Sequence, residues 1–236
     1  MCEFFGCVMK IISVTGTASK AGKTTIASYI LRNLSNSTYG YIDEWEQIVN
    51  NKIRHLPKRG TVSSCYKQRC GALKITIRHE GSCPRHTGCD SCDSDYEPYR
   101  ILIDDDTIQE KGKDTELLSR AGAYKVIWLQ ADSNVEKAGI EAALAYFDED
   151  DTVVIEGNSF LRVRDANLVV LVASPSVKKI KRSTRLILDK IDIIAINMHE
   201  NHTLEQIEGC KEQLRVIGCN APFFLINPLV EDNNIN

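Results

Sequence analysis

The sequence predicts an α/β protein built on a doubly wound, mostly parallel β-sheet. Three observations lead there. Eight short apolar runs, rich in Ile, Val and Leu and with little polar alternation, recur along the chain, as expected of strands buried on both faces. Helical patterns separate most of them, so successive strands are joined by right-handed crossovers. A glycine- and lysine-bearing loop follows the first run directly and opens the first helix.

The expected strands are Lys10–Thr15, Ala72–Thr76, Arg100–Asp104, Lys125–Leu129, Thr152–Ile155, Leu168–Ala173, Ile191–Asn197 and Phe223–Asn227. The expected helices are Thr24–Asn33, Asp114–Ala121, Asn134–Phe147, Lys179–Leu188 and Thr203–Val216. The chain has 236 residues, enough for a single domain spanning 1–236. The rhythm is diluted over residues 36–99, an insertion or elaboration whose segment 65–92 is Cys-rich.

A formal net charge of -3 gives no global basic field, which argues against nucleic acid as the partner. The run Lys178-Lys179-Ile180-Lys181-Arg182 reads as a solvated helix start. No apolar run approaches the ~20 residues that span a bilayer, so no membrane partner is expected. The opening Met1–Val8 lacks the features of an export signal, and Met9 is an alternative start. Nine cysteines in that setting point to thiols or metal ligands in a reducing cytoplasm, not disulfides.

The loop Gly16-Thr17-Ala18-Ser19-Lys20-Ala21-Gly22-Lys23-Thr24-Thr25 has the composition of a phosphate cradle. Small residues let backbone N–H groups wrap around an anion, and the following helix turns its positive end toward it. Lys23 supplies a point charge between phosphates, and the Thr24 hydroxyl is suited to Mg²⁺. Counted back from Gly22, the first glycine of the usual G-x-x-x-x-G-K-[ST] pattern falls on Thr17, with Gly16 one residue earlier. The reading is a P-loop for ATP or GTP, with the base left open. A carboxylate is needed at a strand end to hold Mg²⁺ or orient water. Glu156, closing Val153–Glu156, and Asp104, first of three acids after an apolar run, are the candidates.

The offset glycine resembles the Gly-Thr-x-x-x-x-Gly-Lys-Thr loop of dethiobiotin synthetase and the cobyrinic-acid amidases. That likeness implies that Glu156 binds Mg²⁺ and that Asn197, ending a late strand, contacts the nucleotide base. The lysine that marks MinD-like loops falls at Ala18 and is absent. Two further segments resemble MobB, the molybdopterin-guanine dinucleotide biosynthesis protein B family. They are Gly71-Ala72-Leu73-Lys74, and Gly112-Lys113-Asp114-Thr115 with Arg120-Ala121-Gly122-Ala123; Glu156-Gly157 follows in the same order. The likeness brackets residues 10 to about 160 as islands. It implies a nucleotide hydrolase or adaptor, usually dimeric, that assists a cofactor-assembly partner. The chain departs from MobB in its loop spacing, in Ile75-Thr76 where a histidine pair is usual, and in the long stretch before Lys74.

Cys89-x-x-Cys92 has the spacing by which two thiolates on one turn reach one tetrahedral ion. Cys83 and Cys70 are candidate further ligands, with Cys65, His79 and His86 as alternatives. Zn²⁺ is favoured over an iron–sulfur cluster, with a redox pair or plain thiols as other readings. The function expected is a Mg²⁺-dependent NTPase serving molybdopterin-type cofactor biosynthesis. The rivals are an ATP-dependent small-molecule ligase or kinase, which would hold an acid near Lys74 and Lys113, and a non-catalytic nucleotide- and metal-responsive adaptor.

Overall fold

The computed structural model describes residues 9–35, 69–78, 97–149, 151–177, 179–198 and 202–227. Within them lie the strands β1 (Lys10–Gly16), β2 (Cys70–Arg78), β3 (Tyr99–Leu102), β4 (Val126–Asp132), β5 (Thr152–Glu156), β6 (Leu168–Ala173), β7 (Ile193–Asn197) and β8 (Phe223–Ile226). The helices are α1 (Lys23–Ser35), α2 (Asp105–Ile108), α3 (Asp114–Arg120), α4 (Glu136–Leu144), α5 (Phe160–Val163), α6 (Arg182–Arg185) and α7 (Leu204–Val216).

One eight-stranded sheet runs β3-β4-β2-β5-β1-β6-β7-β8. Every pairing is parallel except β3 on β4. The insertion range therefore contributes an interior strand: β2 lies between β4 and β5.

Residue parity decides which side chains meet which helix. Ile12 and Val14 of β1, Val154 of β5 and Val170 and Val172 of β6 pack with Ile26, Ile30 and Leu31 of α1 and Leu118 of α3. Their neighbours in sequence point the other way. Ile11, Leu73, Val153 and Ile155 pack with Ile140 and Leu144 of α4 and with Phe160 and Leu161 of α5. Leu171, Ala173, Ile194 and Ile196 pack with Ile207, Cys210 and Leu214 of α7. The sheet is thus covered on both faces, and the continuous apolar runs follow from that double burial.

Several expected elements shift. The helix expected over Lys179–Leu188 contracts to the single turn of α6, followed by a 3-10 turn at Leu188–Lys190. The Thr203 start of α7 is fixed by a capping box: Gln206 N–H donates to Thr203 Oγ1 at 3.2 Å, and Thr203 N–H to Gln206 Oε1 at 2.9 Å. No helix among the described residues is long and apolar enough to cross a membrane.

Candidate functional site

Parity also places the polar groups. Glu156 has the parity of Val154, and Lys74 that of Ala72, so both turn toward the α1 face. They are register partners across β5 and β2, and Glu156 pairs with Val14 of β1 on its other side. The three strands therefore deliver two charged groups to the carboxyl edge of the sheet, beside the loop that leaves β1.

The loop is fixed in detail. Gly16 tolerates no side chain, since a Cβ there meets the Lys23 stem at 2.7 Å. Gly22 has φ +90, and its Cβ would lie 2.0 Å from the Asn197 amide nitrogen. Asn197 is buried at the end of β7, and its Nδ2 donates to the Ala21 carbonyl at 3.3 Å. Ser19 and Lys20 are exposed, Ala21 is buried, and Ala18 and Thr25 are half-buried. Helix α1 carries no acid in its first turn, so its unpaired N–H groups and positive dipole end stay available to an anion. Gly22→Ala is expected to lose ~1–3 kcal/mol of stability through positive-φ strain and displacement of Asn197. Urea unfolding compared with wild type checks it; an unchanged midpoint contradicts the tight fit.

Around Glu156 the donors converge. Its side chain is 2% exposed, and a lone carboxylate there would cost several kcal/mol of lost hydration. Thr24 Oγ1 donates to Oε2 at 2.9 Å, while Lys74 Nζ donates to Oε1 at 2.7 Å. Lys23 Nζ stands 3.9 Å from Oε1. Lys74 reaches a second carboxylate, Asp114 at the start of α3, at 2.5 Å.

Burial works against the Lys74 ammonium, but Glu156 and then Asp114 outweigh it, and its pKa rises above the ordinary lysine value. Burial likewise opposes the Asp114 carboxylate, and the Lys74 charge overcomes that, leaving Asp114 below its ordinary value. For Lys23 the balance falls the other way: burial lowers its pKa and Glu156 recovers only part. A polyanion bound there would supply further counter-charge, so that its binding and the charged form of Lys23 would favour each other.

Asp104 does not join this group. The strand it follows, β3, runs antiparallel at the outer edge of the sheet, with β4 and β2 between it and β5. Exposed Asp104 instead caps α2, accepting the Thr107 N–H at 2.9 Å; hydrogen bonds from the Thr107 side chain and then its backbone hold the carboxyl below the usual value. The Walker-B-like reading of Asp104 is corrected on that ground: an apolar run ending in acids looks the same whichever way the strand runs. Lys113 is also exposed, 3.3 Å from Glu110.

Two groups missed in the sequence hold the loop. Asn158 Oδ1 accepts the Gly16 N–H at 3.0 Å, and its Nδ2 donates to the Gly16 carbonyl at 2.9 Å. Thr184 Oγ1 donates to the same carbonyl at 2.9 Å. Asn158 stands two residues after Glu156, the only local hint of its involvement.

Of the proposed thiolate ligands, Cys83, Cys89 and Cys92 lie outside the described residues. Among the described residues no group of three or more His, Cys, Asp or Glu is arranged to hold a metal. Cys70 opens β2 within the α1-side core, and burial pushes its thiol up to about 11, an environment that opposes the thiolate a metal ion requires.

The mostly parallel sheet covered on both faces, with the glycine-lysine loop between β1 and α1, defines a fold of the P-loop NTPase type. No family model matches the chain. No curated protein matches it either. Among solved structures it is similar to a LAO/AO transport system kinase, with 14% identity over 96% of this chain and 55% of that one, at a TM-score of 0.44. It is similar to a ParA family ATPase from Chlorobium tepidum TLS, with 15% identity over 96% of this chain and 86% of that one, at a TM-score of 0.41. The kinase domain of the Escherichia coli tyrosine kinase ETK gives 10% identity over 92% and 67%, at a TM-score of 0.33. The chain thus spans little more than half the length of the first of these. At such identities and TM-scores, none of them carries an argument about what this chain does.

Proposed function

We propose that the chain is a Mg²⁺-dependent P-loop NTPase that takes ATP or GTP at Gly16–Thr25 and assists assembly of a molybdopterin-type metal cofactor. It would do so as a homodimer working with an assembly protein. The observation that carries the nucleotide reading is the meeting of Lys23, Thr24 and Glu156 at the carboxyl edge of the sheet, beside the unblocked start of α1.

The residues present fit Mg²⁺. Thr24 Oγ1 and Glu156 Oε2 are hard oxygen donors already within 2.9 Å of each other, and these two would hold the ion. When bound, Mg²⁺ neutralises charge on the phosphate oxygens. The chain's own groups do the rest. Backbone N–H groups of the loop and α1 grip the phosphates, and Lys23 sets a positive charge where negative charge grows as the terminal phosphoryl group leaves for water. Lys74 is a positioning residue: with Asp114 behind it, it fixes the orientation of the Glu156 side chain. Asn197 packs on the loop at Ala21 and is proposed to face the base.

The cofactor-assembly reading is supported by the ordered likeness to MobB. Two of its islands, carrying Lys74 and Asp114, meet at the third, Glu156. The ligase alternative needs Lys74 and Lys113 for a small acid. Lys74 is engaged by two carboxylates and Lys113 stands beside Glu110, so the hydrolase is the better-supported reading. Phosphate release from ATP and from GTP with Mg²⁺, compared with the Lys23→Ala protein, tests it. Release above that background is expected. Nucleotide binding without any release contradicts the hydrolase and leaves the adaptor.

Zinc held by Cys83, Cys89 and Cys92 belongs to the same proposal, on the strength of the Cys-x-x-Cys spacing. Protein purified without added metal is expected to carry about one Zn²⁺ per chain, lost on replacing Cys89 and Cys92 with Ser. Metal analysis showing equal zinc in both proteins removes the site.

A further inference from the structure

We propose that Lys181 is a further phosphate-binding residue, fastened to the phosphate loop through its own backbone so that its ammonium contacts the nucleotide's phosphates. The proposal rests on the nucleotide reading above. The segment leading into α6 is tied to the loop at Lys181 and Thr184. Lys181 N–H donates to the Thr17 carbonyl at 2.9 Å. Thr184 Oγ1 donates to the Gly16 carbonyl at 2.9 Å, and Asn158 Nδ2, which also grips Gly16, reaches Thr184 Oγ1 at 3.2 Å and Ser183 Oγ at 3.3 Å. The backbone of Lys181 is extended at the α6 N-cap, with φ -62 and ψ 149, so it lies beside the loop and not within a longer helix.

The charges are unequal in a telling way. Lys23 and Lys74 have carboxylates within reach, whereas exposed Lys181 has no ion-pair partner among the described residues. Its charge is felt by Lys23: after burial and the Lys74 charge, Lys181 is the next influence lowering the Lys23 pKa. Nearby like charges without a counter-ion are unfavourable in the empty protein, and a polyphosphate between them reverses the sign. Lys179, two residues before, is exposed too, but it is not among the leading charges acting on Lys23.

The test is equilibrium binding of non-hydrolysable ATP and GTP analogues with Mg²⁺ to wild type, Lys181→Ala, Lys181→Arg and Lys179→Ala. Lys181→Ala is expected to weaken the better-bound analogue roughly tenfold, as for loss of a charge-assisted hydrogen bond, with Lys181→Arg near wild type. The ligand-free melting temperature should not fall, since the side chain has no ion-pair partner among the described residues to lose in the empty protein and its removal relieves the repulsion with Lys23. Wild-type affinity in Lys181→Ala, or an equal loss in Lys179→Ala, overturns the proposal while leaving the nucleotide reading intact. Failure of wild type to bind either analogue overturns both.

Discussion

Lys23→Ala is expected to weaken nucleotide binding at least ~100-fold, the size anticipated when a half-buried cation between phosphates is removed. Lys23 is 15% exposed, its stem lies against Gly16, and burial already lowers its pKa, so its charge is poised for an incoming anion. The fold should survive. Glu156, which stands 3.9 Å from Lys23, keeps its two closer donors, Thr24 at 2.9 Å and Lys74 at 2.7 Å. Calorimetric titration beside a melting curve separates the two effects. Retained affinity removes Lys23 from the site, and a collapsed melting temperature makes it a structural residue.

Glu156→Gln is expected to reduce phosphate release by ~10²–10³-fold, the range for removing one preorganised charged group from a reacting centre. Affinity for nucleotide measured without Mg²⁺ should change far less, because the loop, α1 and Lys23 remain. The strengthening of binding by Mg²⁺ should vanish, since the amide replaces the carboxylate that would hold it beside Thr24. Titrations with and without Mg²⁺ check this. A Mg²⁺ effect as large as in wild type reassigns the metal to another group.

The sheet, and the loop from which the candidate site is built, were legible because each rests on local pattern. Double burial forces apolar runs such as Leu168–Ala173, and a phosphate cradle requires Gly16, Gly22, Lys23 and Thr24 in contiguous order. Glu156 was legible as the acid closing a buried strand. Asp104 misled because strand direction leaves no local mark, and the antiparallel β3 carries its acids to a helix cap. The clasp on Gly16 was invisible: its partners lie 142 and 168 residues away, and an Asn and a Thr carry no local signal of such a bond. The shortened α6 has the same origin. A basic run with helical spacing looks like a helix start, but Lys181 is drawn out of it by the bond to Thr17. That Lys74 and Asp114 meet was not legible: the family likeness marks both segments, but nothing in the residues pairs them. Parity and register now give the reason: Lys74 stands opposite Glu156, and α3 begins beside them.

The most direct measurement is a titration of the wild-type chain with Mg²⁺-ATP and, separately, Mg²⁺-GTP. Saturable binding of at least one of them at about one nucleotide per chain, weakened when Mg²⁺ is removed, is the predicted result. No binding of either nucleotide by protein that melts cooperatively contradicts the assignment of Gly16–Thr25 as a phosphate site.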